Sequence, residues 1–292
     1  MSVDLLLPIT VMLMLSIGTG IIAIGLKSRL SQRALQGLTI TLMTSFITFI
    51  TVIRGRAELL HIFPLADAII YADWTPIFAF AFIGCGWGQI PGSALRKSLL
   101  LFPLAVLTLW LTYASLMRAT PQCHANWQNG VCIQTSEASC SAACAATVLV
   151  HHKIPATEAE MVRYCLTCVP QGREPGGTTI HGLYRGLCRK TAAAGLRVET
   201  HTGNLHRLLE PGSGPWIISV GLTTRTAADP IYREQYGWSP GMRHSVVLFR
   251  QVTSDRVEIG DPSIGREQWT LEDLSVLWLG DAVRICGSEG CP

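Results

Sequence analysis

Residues 1–117 alternate between long uncharged runs and short polar breaks. Four stretches, 5–26, 34–53, 74–95 and 98–117, contain no charged residue. Each reaches the length needed to cross a bilayer as a helix, about 20 residues at about 1.5 Å rise per residue. They predict an all-α four-helix membrane domain over residues 1–120. The segment 57–72, AELLHIFPLADAIIYA, is apolar but broken by Glu58, Pro64 and Asp67, and reads as an interfacial or re-entrant helix, not a fifth span. The first run lacks a basic leader region and a small-residue cleavage site, so a retained span is expected in place of a removable signal peptide.

After a tether at 118–133 the pattern shortens. Residues 140–152 place Ala and Val at helical spacing, 157–168 open with the capping box TEAE (Thr157 and Glu160), and a third helix is expected over 178–194 after the loop PQGREPGG. From 196 the chain turns to short β-branched runs divided by turns: PWIISV (215–220), HSVVLFR (244–250), RVEIGD (256–261) and AVRIC (282–286). Helices followed by strands predict a second domain, 121–292, of α+β class, with helices against one face of an antiparallel sheet.

Charge adds orientation. Lys27, Arg29 and Arg33 lie between the first two runs, and Arg96 with Lys97 between the last two, while Arg54 and Arg56 weigh the other way. Cytoplasmic loops collect Lys and Arg, so an integral, multi-pass protein of the inner or plasma membrane is expected, its second domain periplasmic or extracellular. The net charge of +3 divides into 8 Lys/Arg against 4 Asp/Glu in residues 1–120 and 15 against 16 in the rest. A near-neutral second domain has no electrostatic footprint for nucleic acid.

Of ten cysteines, Cys85 lies in a span and nine follow the last span, as in an oxidising compartment. With Cys140 set apart as a reactive thiol, Cys123, Cys132, Cys144, Cys165, Cys168, Cys188, Cys286 and Cys291 form an even set for disulfides. Their connectivity is open, although CHANWQNGVC with its Asn-Gly turn would readily close Cys123 onto Cys132. Cys165 and Cys168 suit a structural disulfide better than a redox pair. They also suit it better than a zinc site with His181 and Cys188, whose spacing straddles a Gly-rich loop.

One strand register brings acid and base together. If 244–250 and 255–261 form a hairpin closed by QVTS (251–254), His244 faces Asp261, close enough for the carboxylate to hold one imidazole tautomer. Singly, each has a plain reading, a strand-end histidine and the start of an Asp-Pro turn; together, downstream of a candidate thiol, they form a dyad. Cys140 lies between Ser139 and Ser141, either of which can cap the helix that begins there. A helix N-terminus and a neighbouring imidazolium both favour thiolate over thiol. Cys144, one turn on, reads as core. Gln134, six residues before Cys140, can offer a side-chain amide beside the Cys140 N–H to a developing oxyanion. Trp269 and Trp278 read as sheet packing, and His151 and His152 as a helix end.

The order Gln134, Cys140, an Ala-rich helix, GGTT before GLYRGL, then RHSVVLF and IGDPSIG, resembles the bacteriocin-processing cysteine peptidase family, the papain-like domain that trims double-glycine leader peptides. The resemblance covers about residues 130–285. It implies Cys140 as nucleophile, His244 as general base and acid, Asp261 as the orienting acid, Gln134 as oxyanion donor, a peptide or protein substrate, and no metal or other cofactor. Cys140 is followed by Ser141 where the family usually has Gly. The chain has no GxxxxGK[ST] phosphate loop, hence no ATP site, and substrate delivery would fall to separate export machinery. The expected function is a membrane-anchored cysteine peptidase working through a thioacyl-enzyme on Cys140. The alternative is a catalytically silent, peptide-binding relative acting as an anchored receptor or export accessory.

Overall fold

The computed structural model describes residues 3–171, 176–223, 230–234 and 236–287. The chain forms two compact units, Met1–Leu59 with Asp67–Arg118, and Leu60–Ala66 with Ala119–Pro292.

The first unit contains four helices long and apolar enough to cross a membrane, Val3–Leu26, Gln32–Ile53, Ala68–Gln89 and Ala94–Tyr113. The third begins and ends earlier than its uncharged run. Ala68–Tyr71 supplies its first turn, and it stops at Gln89, before Pro91 and Gly92. The fourth then starts at once, with Ser93 as N-cap accepting from the Arg96 N–H. The interrupted segment 57–72 thus contributes one short helix, Leu59–Ile62, and the start of the third long one. The first and third helices touch at Gly20 and Gly84, where a Cβ on Gly84 would run into the Gly20 carbonyl. Arg54 is ion-paired with Asp73 at 3.0 Å.

The second unit opens with a small hairpin, β1 (Trp127–Gln128) and β2 (Val131–Cys132). Asn129 and Gly130 turn it with φ of 49° and 76°, the paired left-handed conformations of a two-residue type I′ turn. Three helices follow, Cys140–His151, Glu158–Tyr164 and Ile180–Thr191. Thr157 caps the second by accepting from the Glu160 N–H at 3.2 Å. The reciprocal half of the expected capping box is replaced, because the Glu160 carboxylate binds Lys190 Nζ at 3.0 Å.

Strands β3 (Arg197–Thr202), β4 (Trp216–Gly221), β5 (Arg243–Gln251), β6 (Arg256–Asp261), β7 (Gly265–Thr270) and β8 (Trp278–Cys286) make one antiparallel sheet ordered β3-β8-β4-β5-β6-β7. The four expected runs are its four inner strands. The two strands absent from the hydrophobic pattern, RVETHT and GREQWT, are its edges, where half-exposed polar residues replace a continuous apolar run.

Ala142, Ala146, Leu149, Leu187, Ile217 and Val247 are among the residues that pack the three helices onto one face. The other face is also covered, against expectation. Trp216, Ile218, Val246 and Ile259 meet Leu208, Tyr232 and helix Leu271–Leu277 there.

The disulfide expectation fails for five cysteines. Cys123, Cys132, Cys144, Cys165 and Cys188 are free thiols, and the Cys168 thiol donates to the Gly177 carbonyl at 3.7 Å. The Asn-Gly turn forms without a Cys123–Cys132 bond, and Cys132, Cys144 and Cys165 are buried as small core side chains. Burial pushes the Cys132 and Cys165 thiols up to about 12 and Cys188 to about 11, and raises Cys123 and Cys144 as well. Cys286 is disulfide-bonded, and Cys291 lies outside the described residues.

Candidate active site

Cys140 is the first residue of helix Cys140–His151, whose next nine residues, Ser141 to Leu149, are buried. Their small side chains let this helix lie directly against β5. Ser139 holds the N-cap position without capping, because its hydroxyl donates back to the Ser136 carbonyl at 2.7 Å. Ser141 does not cap either. Its hydroxyl is paired with that of Ser245 on β5 at 2.8 Å, and one turn on the Cys144 thiol donates to the Ser245 carbonyl at 3.2 Å. These two contacts fix the start of the helix against the strand that bears the histidine. The polar residue after the cysteine therefore serves as a buried tie, a role no glycine can fill.

His244 Nε2 donates to Asp261 Oδ1 at 2.9 Å, with both residues at the end of the sheet where β5 begins and β6 stops. The contact was expected, but from a different register. Val247 faces Gly260 and Leu248 faces Ile259, after which a bulge near Phe249 shifts the ladder to Arg250 opposite Glu258. Extended along β5, this register puts Val246 across from Asp261, so His244 reaches it diagonally. A slip of two residues preserves the face, because side chains alternate with period two, and diagonal neighbours remain within reach of a long side chain. The loop is 252–255, not 251–254.

Asp261 also accepts from the Ser263 N–H at 2.7 Å, so the Asp-Pro turn holds the carboxylate in place. With Nε2 bound to Asp261, Nδ1 is the ring nitrogen left for the hydrogen bond between His244 and the Cys140 thiol. Burial pushes the Cys140 thiol up. The hydrogen bond and charge of His244, helped by Ser245 and Ser141, outweigh it and bring Cys140 below the ordinary thiol value. Burial likewise lowers His244, but its bonds to Asp261 and Cys140 raise it to about 10. Both shifts favour a thiolate–imidazolium pair at neutral pH.

Gln134 is stitched to the same turn. Its N–H donates to the Pro262 carbonyl at 2.7 Å, and its side-chain oxygen accepts from the Ser263 hydroxyl at 3.4 Å. Its amide nitrogen donates to the Ser136 carbonyl at 3.0 Å, which leaves the second N–H of that amide for another acceptor. Gln134, Cys140, His244 and Asp261 all line one cavity of about 840 Å³.

Two contributors were not visible in the sequence. Glu158 is fully buried and accepts from the Thr135 N–H and hydroxyl, each at 2.8 Å, clamping the residue after Gln134. In TEAE it reads as an exposed helix-start acid, and only the packing of the 134–136 loop buries it. Trp238 stands edge-on to the His244 ring, centroids 6.1 Å apart. Trp269 also lines the cavity, while Trp278 packs against the sheet as expected.

No family model matches the sequence, and neither does any curated protein. Solved structures similar to this chain include a double glycine motif protease from an AMS/PCAT transporter in complex with the leader peptide, at 17% identity over 57% of this chain and 94% of that one, TM-score 0.38. The peptidase domain of Streptococcus ComA, a bi-functional ABC transporter involved in a quorum-sensing pathway, is similar at 17% identity, with 53% and 96% covered and a TM-score of 0.39. The peptidase domain of Streptococcus mutans ComA is similar at 16% identity, with 54% and 99% covered and a TM-score of 0.34.

Proposed function

We propose that this chain is a membrane-anchored cysteine peptidase that cleaves a peptide bond through a thioacyl-enzyme on Cys140. The observation that carries the reading is the placement of Cys140 in one cavity with the hydrogen-bonded His244–Asp261 pair, a cavity large enough for a peptide segment, where His244 lowers the thiol against its desolvation. In this reading the Cys140 thiolate attacks the substrate carbonyl carbon. The oxyanion is met by the Cys140 N–H at the helix start and the free N–H of the Gln134 amide. His244 Nδ1–H protonates the leaving amine as the C–N bond breaks and a thioester remains. His244 then takes a proton from water, whose oxygen attacks the thioester, and the thiolate leaves as the carboxylic acid product forms. Asp261 keeps the imidazole in the required tautomer throughout.

Iodoacetamide tests the ion pair independently of any substrate. Cys140 is expected to alkylate well below pH 7, and His244→Ala to lose that reactivity; equal, slow labelling of Cys140 in both proteins sinks the proposal.

Four helices long and apolar enough to cross a membrane support the anchoring. We further propose that the peptidase unit faces the periplasm or the cell exterior. Lys27, Arg29, Arg33, Arg96 and Lys97 weigh for a cytoplasmic position of the first and third connections, and outnumber Arg54 and Arg56, which weigh the other way. A reporter active only in the cytoplasm, fused after Pro292, is expected to be silent. Activity in that fusion would place the unit inside.

A further inference from the structure

The cavity extends past His244 into a region that the proposed chemistry does not use. Trp238, edge-on to His244, is also edge-on to Trp269, with centroids 6.3 Å apart at 83°. Trp269 Nε1 donates to Glu267 Oε1 at 2.6 Å. Two indoles therefore link the dyad to a carboxylate in the same cavity lining.

The charges lining the cavity are uneven. Glu137, Asp261, Glu267 and Asp273 are acidic. Asp261 is matched by His244, and Asp273 is used at a helix start, where it accepts from Thr270 and from the Tyr232 hydroxyl. Arg243, the basic lining residue besides His244, is largely exposed and lies 3.9 Å from Asp281. Glu267 has no cation within ion-pairing distance among the described residues, and an indole N–H is its hydrogen-bond donor. Burial, with Asp261 adding to it, raises its carboxyl above the usual range against the opposing pull of Trp269 and His244.

We propose that this part of the cavity, built from Trp238, Trp269 and Glu267, is a subsite for a basic side chain, Lys or Arg, of the peptide substrate. The proposal rests on the peptidase reading above. A cation placed there gains both a half-desolvated carboxylate and the negative faces of aromatic rings. An apolar side chain would bury Glu267 further without a counter-charge, and an acidic one would meet like charge, so the subsite selects by exclusion as well as by attraction. Lining contact with His244 places the recognised residue next to the scissile bond.

The test separates binding from cleavage. The full chain carrying Cys140→Ala, in lipid nanodiscs, is exposed to a decapeptide library in which each position is fixed in turn as Lys, Arg, norleucine, Gln or Glu, and retained peptides are sequenced. Lys and Arg are expected to be enriched about tenfold over norleucine and Gln at one position. Glu267→Gln in the same background removes that enrichment, and Glu267→Lys transfers it to Glu. Retention of no peptide, equal retention of Lys and norleucine peptides, or a Lys/Arg preference that survives both Glu267 variants overturns the subsite. If the preference depends on Glu267 but the wild-type chain cleaves none of the retained peptides, the subsite stands and the peptidase reading falls.

Discussion

Peptide hydrolysis by the His244→Ala variant is expected to fall by at least about 10³-fold, to the same floor as Cys140→Ala, and the double variant no further. Cys140 is partly buried, and its thiolate is favoured by the His244 imidazole. Removing His244 therefore raises the thiol and deletes the proton carrier together. Asp261→Asn is expected to act differently. His244 owes its elevation to about 10 chiefly to Asp261 and Cys140. The active ion pair exists between the lowered pKa of Cys140 and the raised pKa of His244. In wild type, hydrolysis should rise as Cys140 ionises and decline as pH passes about 10. The asparagine variant should lose its alkaline limb at lower pH and run more slowly throughout. Initial rates on a cleaved peptide, taken across this range, measure all four variants. A His244→Ala enzyme that keeps a tenth of the wild-type rate would contradict the assignment.

The second large effect concerns stability. Gly182 and Gly186 lie one turn apart on helix Ile180–Thr191, both against Cys165. A Cβ on Gly182 would collide with the Cys165 carbonyl, and one on Gly186 with the Cys165 thiol and, at 3.1 Å, with its backbone nitrogen. The helix lies close because these two positions have no side chain, and this closeness lets the buried Arg185 donate from Nη1 to the Tyr164 carbonyl at 2.5 Å, at the end of helix Glu158–Tyr164. Gly182→Ala, where the obstacle is backbone, is expected to cost about 2–3 kcal/mol. In a unit of this size that lowers the unfolding midpoint by roughly 5–10 °C. Thermal unfolding followed by circular dichroism measures it, and an unchanged midpoint would mean that the helix can shift outward freely.

How far the sequence could be read follows from which forces act locally. Gln134, Cys140, His244 and Asp261 were expected together and line one cavity: the last three sit at a helix start, a strand end and an Asp-Pro turn, and Gln134 stands out only by its spacing from Cys140. The pairing of His244 with Asp261 came out right from a register two residues off, since alternation protects the face but not the ladder. Edge strands β3 and β7 were illegible, having no apolar run to announce them. Glu158 and Trp238 were illegible for another reason: their roles come from the loop and ring placed against them by chain segments far away. The cysteines misled because the same residue type serves as core filler and as disulfide, and composition does not distinguish the two.

Cys140 and Gln134 belong to the helical half of the unit, while His244 and Asp261 belong to the sheet half, more than a hundred residues downstream. While the chain is still being made, the cysteine thus emerges as an ordinary thiol, and its thiolate can be favoured by His244 only when β5 and β6 have paired. In the peptidase reading, the activated thiol is therefore a product of folding: a truncated chain carries Cys140 only as one ordinary thiol among several.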